Sequence, residues 1–369
     1  MKRFIYVTIV SILFSSALFA DEIKTNSNKH HISVAQSYYD SAYKEIELML
    51  NDSIESSFIR AVFVTENAYL DNSLSYDKYN EQIDFLHSLA QLFNASNELL
   101  YSQKDKEQVE KLGAIFYLMT DTIDIIINNQ LHYHAPFKYN FDDIWGEKDW
   151  SNMFVSSLMT NYEGNCHSLP FLYKILADKM EAEAHLAIAP NHFYIKSKCK
   201  KGGWYNTELT SATFPIDAWI MASGYISVQA VQNRLYMDTL SQKQALAICM
   251  TDLAQGYVKR FGTDADLDFI LQCTNQALNN YPNYVNALLL EAETLKDKFE
   301  QLTISAKYDE ETKIEAKNTF DKMEAAYVNI HELGYRTMPK EMYMQWLMEL
   351  NQEKDKYLNK RIITNFQSK

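Results

Sequence analysis

Gly164-Asn165-Cys166-His167-Ser168-Leu169-Pro170 decides how the centre of this chain folds. Beyond Cys166, Leu169, Leu172, Ile175, Leu176 and Met180 recur at three- and four-residue spacing, which predicts an amphipathic helix running to about Met180. Proline is tolerated only in the first turn of a helix, where its missing N–H is not needed, so Pro170 keeps this helix from starting much before Cys166. Gly164 and Asn165 are the expected breaker and cap. A thiol at a helix start faces unpaired N–H groups and the positive end of the helix dipole, and both favour the thiolate. The same N–H groups are placed to hold an oxyanion.

Downstream, Ala184 to Ala189 is short and apolar, Pro190 and Asn191 interrupt it, and His192 to Lys196 alternates with His192, Tyr194 and Lys196 on one face. After the polar stretch Ser197 to Gly203, a second alternating run puts Trp204, Asn206 and Glu208 on one face. Paired as a hairpin centred on Lys200, the two runs set His192 opposite Glu208, Tyr194 opposite Asn206 and Lys196 opposite Trp204. Opposed residues have Cβ atoms about 5 Å apart, within reach of a hydrogen bond from the imidazole to Glu208. Asn206, two residues back on that face, is the substitute orienting group, since a neutral amide also fixes a histidine tautomer. Cys166, His192 and Glu208 thus stand in the order that a thiol nucleophile, its base and an orienting carboxylate need.

A cysteine opening a helix after Gly164-Asn165, a histidine starting the next alternating strand, and an acid in Trp204-Tyr205-Asn206-Thr207-Glu208-Leu209-Thr210 resemble the transglutaminase-like superfamily of papain-type folds. The resemblance covers roughly Trp150 to Ser211. It implies Cys166 as nucleophile, His192 as base and Glu208 as third member, although most members carry aspartate where this chain has Glu208. The implied chemistry is that of a cysteine-dependent amidase, peptidase or acyl transferase acting on a peptide or amide. The alternative is a catalytically inactive scaffold of the same fold that binds a peptide or a cell-envelope partner.

Other residues point to less. His132-Tyr133-His134 and His30-His31 have no Cys or acid cluster at ligand spacing, so neither metal nor cofactor is expected. His167 and His185 read as polar packing or surface residues, with His167 beside the nucleophile a candidate to line the cleft. Lys196, Lys198, Lys200 and Lys201 read as a solvated turn. No glycine-rich phosphate loop, Gly-x-Ser-x-Gly elbow or nucleic-acid motif is present.

Met1-Lys2-Arg3, an apolar stretch from Phe4 to Ala20 and small residues at Ser15, Ser16, Ala17 and Ala20 describe a secretory signal peptide, cleaved after Ala20 or Ala17. A periplasmic or secreted protein with no stable membrane span after cleavage is the expectation. Removal of residues 1–20 takes the formal charge from −13 to −15, which argues against nucleic acid or an anionic membrane as partner. Four cysteines in 369 residues do not make a disulfide framework; with Cys166 set aside, Cys199, Cys249 and Cys273 are an odd number.

The expected fold class is α+β and mainly helical, with the signal peptide at 1–20, a helical region at 21–135, a helix-plus-antiparallel-sheet domain of the transglutaminase-like kind at 136–225, and a helical tail at 226–369. Apolar periodicity predicts helix through Ile46, Leu50, Phe58, Val62, Ile83, Leu86, Leu112, Ile115, Ile123 and Ile126. The aromatic-rich connection from Tyr133 to Trp150 follows. In the tail, Ala254, Tyr257, Phe261, Ile270, Ala277 and Pro282, then Leu288 and Ala292, fall close to tetratricopeptide spacing, with Val258 where a small residue belongs. Such a tail is a structural support or a surface for a protein partner.

Overall fold

The computed structural model describes residues 34–127, 130–223, 225–305, 309–352 and 354–366. The signal-peptide expectation at 1–20 and His30-His31 lie outside them. The chain is α+β and mainly helical. Helices α1 (34–50), α2 (Phe58–Tyr69), α3 (Tyr76–Ser96) and α4 (Lys106–Thr120) come first. Ser57 and Ser75 begin α2 and α3 by accepting from the N–H groups of Arg60 and Lys78. Strands β1 (Ile123–Ile127) and β2 (Gln130–His134) then form an antiparallel pair, Ile123 facing His134. Helical periodicity had been expected to run through Ile123 and Ile126. Asp121 ends α4 in an extended conformation, and the isoleucine-rich run Ile123–Ile127 forms a strand, the backbone conformation that β-branched residues favour.

The centre holds β3 (Lys138–Tyr139), α5 (Val155–Asn161), β4 (Glu163–Gly164), α6 (Ser168–Lys179) and an antiparallel sheet of β5 (His185–Ala189), β6 (His192–Cys199) and β7 (Gly203–Thr207) in sequence order. Helix α6 begins two residues after Cys166. It is buried nearly all round, from Ser168 to Ala177, because α3, α4, α5, β5 and β6 all pack on it. A helix so enclosed fixes the turn that precedes it. The free edge of β5 is covered where Met237 N and Leu240 N donate to the carbonyls of Ile188 and Leu186.

Helices α7 (Asp217–Ser223) and α8 (Val228–Gln232) lead to α9 (Gln242–Phe261), α10 (Leu267–Asn280), α11 (Val285–Ser305) and α12 (Glu310–Glu332), each of the last four packed on its neighbour. Ser241 and Gln244 form a reciprocal capping box at the start of α9. After the break at Gly334 and Pro339, α13 (Lys340–Gln352) turns back toward the centre, and α14 (Lys360–Asn365) ends the described chain. Pro215 and Leu358 form a bridge, Asn359 N donates to Phe214 O at 2.8 Å, and the Phe366 ring stacks on Phe214 with centroids 4.8 Å apart. One buried hydrophobic cluster runs from Tyr39 through the centre to Phe366, so the last segment is strapped onto the core of the first helices.

Among the described residues no helix is long and apolar enough to cross a membrane. All four cysteines are buried and free.

Candidate active site

Three backbone devices assemble the site. The first is the turn at Gly164-Asn165-Cys166. Asn165 accepts from His167 N at 3.0 Å and Ser168 N at 3.3 Å through its side chain, and its own N–H is held by the Ser168 hydroxyl at 3.1 Å. Its carbonyl takes Leu169 N at 3.2 Å, so Asn165 caps α6 and Cys166 lies within the capping turn. Glycine is required at 164 because an added Cβ would stand 2.3 Å from Ser168 Oγ and 2.9 Å from Leu158 Cδ1. Since Asn165 occupies the N–H groups of His167, Ser168 and Leu169, the oxyanion donor expected at the helix start narrows to the N–H of Cys166, which Asn165 does not engage.

The second device is the tight hairpin between β5 and β6. Ala189 pairs with His192 across Pro190-Asn191, with Asn191 at φ 58°. Proline presets the first corner of such a turn, and asparagine tolerates the left-handed second corner. The hairpin delivers the Asn191 carbonyl to 3.6 Å from Cys166 Sγ, which donates to it as a thiol, and places His192 at the strand start beside the cysteine.

The third is the β6–β7 hairpin, whose register differs from the expected one. Lys196 pairs with Asn206 and Lys198 with Trp204, which centres the turn on Lys201 rather than Lys200. This two-residue slip preserves parity, so Glu208 stays on the His192 face but diagonal to it. The longer glutamate spans the diagonal: His192 Nε2 donates to Glu208 Oε2 at 2.6 Å. The other carboxylate oxygen accepts from Thr210 N at 2.8 Å, and Glu208 and Thr213 exchange backbone bonds at 2.8 and 2.9 Å that hold the acid in place.

Cys166, His192 and Glu208 are therefore brought together, at 8%, 2% and 2% exposure. Asn206 is not with them. Its amide donates to Pro215 O at 3.0 Å and Asp217 Oδ1 at 2.8 Å, so it ties β7 to α7 instead of orienting the imidazole. Lys196 likewise leaves the solvated turn in which it was expected: it is buried, with Nζ 2.9 Å from Met237 O and 3.3 Å from Asp217. His185 bonds Leu240 O and Glu183, and His134 bonds Leu118 O, each a packing contact. No group of three or more His, Cys, Asp or Glu among the described residues is arranged to hold a metal ion.

No family model, curated protein or solved structure matches this chain.

Burial alone would push the Cys166 thiol up, but the hydrogen bond and positive charge of His192 outweigh it, helped by the Tyr343 hydroxyl and His167, and hold the thiol below its ordinary range. Burial likewise opposes a charged His192, yet the Glu208 carboxylate and the sulfur raise the imidazole to about 10. Cys249 and Cys273, buried without such partners, are pushed well up. The electrostatics thus shift Cys166 toward the thiolate and hold His192 as an imidazolium at neutral pH.

The sequence gives no warning of the groups that close the site. Tyr343 on α13 places its hydroxyl 3.4 Å from Cys166 Sγ and 3.3 Å from His192 Nδ1. Trp346, one turn on, meets the His192 ring edge-on at 4.7 Å between centroids. The Tyr139 hydroxyl, on β3, is enclosed near the sulfur and Tyr343 but has no hydrogen-bond partner among the described residues. The groups around the sulfur thus reach beyond the Trp150 to Ser211 stretch of the resemblance: a helix whose Tyr343 lies 151 residues past His192 completes the walls. A Tyr and a Trp three residues apart on an amphipathic helix carry no signature beyond core packing.

Proposed function

We propose that this chain is an exported, cysteine-dependent amide hydrolase or acyl transferase whose central region is transglutaminase-like and whose α9–α12 segment is a tetratricopeptide-like support. What carries the proposal is His192, with Nε2 on a buried carboxylate at 2.6 Å and Nδ1 turned toward the Tyr343 hydroxyl that also meets Cys166. That arrangement fixes the tautomer and leaves one nitrogen to exchange a proton with sulfur.

The chemistry follows from the groups present. Cys166 Sγ, its proton on His192, attacks the carbonyl carbon of a peptide or amide. The developing oxyanion takes the N–H of Cys166. His192 gives its proton to the departing nitrogen as the C–N bond breaks, leaving a thioester. Water, deprotonated by His192, attacks the thioester to release the acid and restore the thiol. Glu208 stabilises the imidazolium throughout. Hydrolysis is preferred to transfer because nothing identifies a site for an acceptor amine.

One observation favours the second reading, a scaffold that binds without chemistry: Cys166 is buried, with the Tyr343 hydroxyl against its sulfur and Trp346 against the His192 ring. A thiol-reactive acyl probe offered to the full-length protein at neutral pH separates the two. An enzyme forms a Cys166 thioester and turns it over in water. A scaffold stays unlabelled, or keeps the label indefinitely.

A further inference from the structure

The histidine next to the nucleophile is held by two acceptors. His167 Nδ1 lies 2.8 Å from the Met153 carbonyl, and Nε2 lies 2.9 Å from Asp252 Oδ2 on α9. A carbonyl only accepts, and a neutral imidazole has a single N–H, so both bonds are made only by an imidazolium beside a carboxylate, or by a neutral ring beside a protonated acid. Imidazole is the more basic partner by more than two units, so the proton resides on the ring. The ring is wedged against Phe171 at 3.9 Å and edge-on to Phe193 at 5.4 Å, and it has no freedom to turn away. Burial works against the charge, but Asp252, the Met153 carbonyl and the neighbouring Cys166 sulfur together raise the His167 pKa.

We infer that His167 and Asp252 are a second, fixed ion pair whose imidazolium helps hold Cys166 as thiolate, making His167 a positioning residue that links α9 to the nucleophile turn. Its consequence for rate rests on the proposed function, but its effect on ionisation does not. Around His167 the charged or titratable groups include Asp252 and Cys249 on α9, Glu66 and Tyr69 on α2, and Cys166 on its own turn. Around Cys166 they are His192, Tyr343, Tyr139 and His167. The Glu66 carboxyl accepts from Val155 N at 2.6 Å and Ser156 N at 3.0 Å and is pushed up by burial to about 7, so it titrates in the same window.

The test is the pH profile of Cys166 alkylation by iodoacetamide in the full-length protein, for wild type and for the double variant His167→Gln/Asp252→Asn, which removes the pair without stranding a buried charge. Near-ultraviolet circular dichroism checks that the variant is folded, and His167→Asn/Asp252→Asn replaces it if it is not. The expected result is an upward shift of the midpoint by about one unit, with an unchanged alkaline plateau, which means about tenfold slower reaction on the acid limb. A rate lowered equally at every pH would show a purely structural pair and overturn the inference. So would an equal midpoint shift in Glu66→Gln. Nitrogen NMR of the wild-type ring adds a readout independent of reactivity: His167 stays doubly protonated at pH 7.5, and a neutral ring there overturns the inference. If the midpoint shifts but no amide is ever cleaved, the proposed function fails while the pair stands.

Discussion

Replacing Glu208 by glutamine removes the charge from the most buried ion pair of the site while keeping the side chain's size. His192 and Glu208 are 1% and 3% exposed at their side chains and 2.6 Å apart. The imidazole rises from about 6.5 in the unfolded chain to about 10 in the folded one. A group whose pKa is raised by folding contributes stability that is fully present below its unfolded value and is lost as pH climbs through its folded value. The contribution is therefore whole at pH 6 and fades toward pH 10. A shift of that size corresponds to at most about 5 kcal/mol, and breaking a buried pair costs about 3–5 kcal/mol. Glu208→Gln should accordingly lose about 3 kcal/mol in urea unfolding at pH 6, with the gap to wild type narrowing to less than about 1 kcal/mol by pH 10. Glu208→Asp, retracted by one methylene from a diagonal partner, should fall between the two. A loss for Glu208→Gln that is the same at pH 6, 8 and 10, or no loss at pH 6, would show that the pair is not ionised in the folded protein and would refute the reasoning.

Three further outcomes are expected. Trp346→Ala should raise the rate at which a bulky maleimide modifies Cys166 by about tenfold or more relative to iodoacetamide, because Trp346 is the α13 side chain that packs edge-on against His192; an unchanged ratio would show that Trp346 does not limit access. Asn206→Ala should lower the thermal unfolding temperature, since it unties β7 from Pro215 and Asp217, while leaving the pH midpoint of Cys166 alkylation in place. A moved midpoint would return Asn206 to the imidazole. Mature protein from native cells should begin near residue 18 or 21 and fractionate outside the cytoplasm; an intact Met1 in soluble cytoplasm contradicts export.

What was legible in the sequence is what local chemistry enforces. Pro170 bounded the helix start to within two residues, Asn165 announced a cap, and the alternation around His192 announced a strand, because backbone sterics act over a few residues. Glu208 was found on the correct face even though the hairpin slips by two, since a side-chain period of two forgives an even error. The same forgiveness does not extend to partners: Asn206 and Lys196 share that face, yet bond Pro215, Asp217 and Met237, which the loop after β7 and the edge segment beside β5 bring in. The Ile123–Ile127 run was read as helix because a short apolar stretch fits either period. Tyr343, Trp346 and Asp252 were out of reach, since their roles arise only when α9 and α13 fold onto a turn far upstream.

The central claim is that the surroundings of Cys166 favour its thiolate, whereas burial disfavours ionisation of Cys249 and Cys273. The most direct measurement is iodoacetamide alkylation of the folded full-length protein at pH 6.5, with each cysteine followed by peptide mass and wild type compared with His192→Ala. Cys166 should react at least about tenfold faster than Cys199, Cys249 and Cys273, and His192→Ala should remove most of that advantage, because an ordinary thiol is only about one per cent ionised at this pH. Equal rates for all four cysteines, unchanged in His192→Ala, would contradict it.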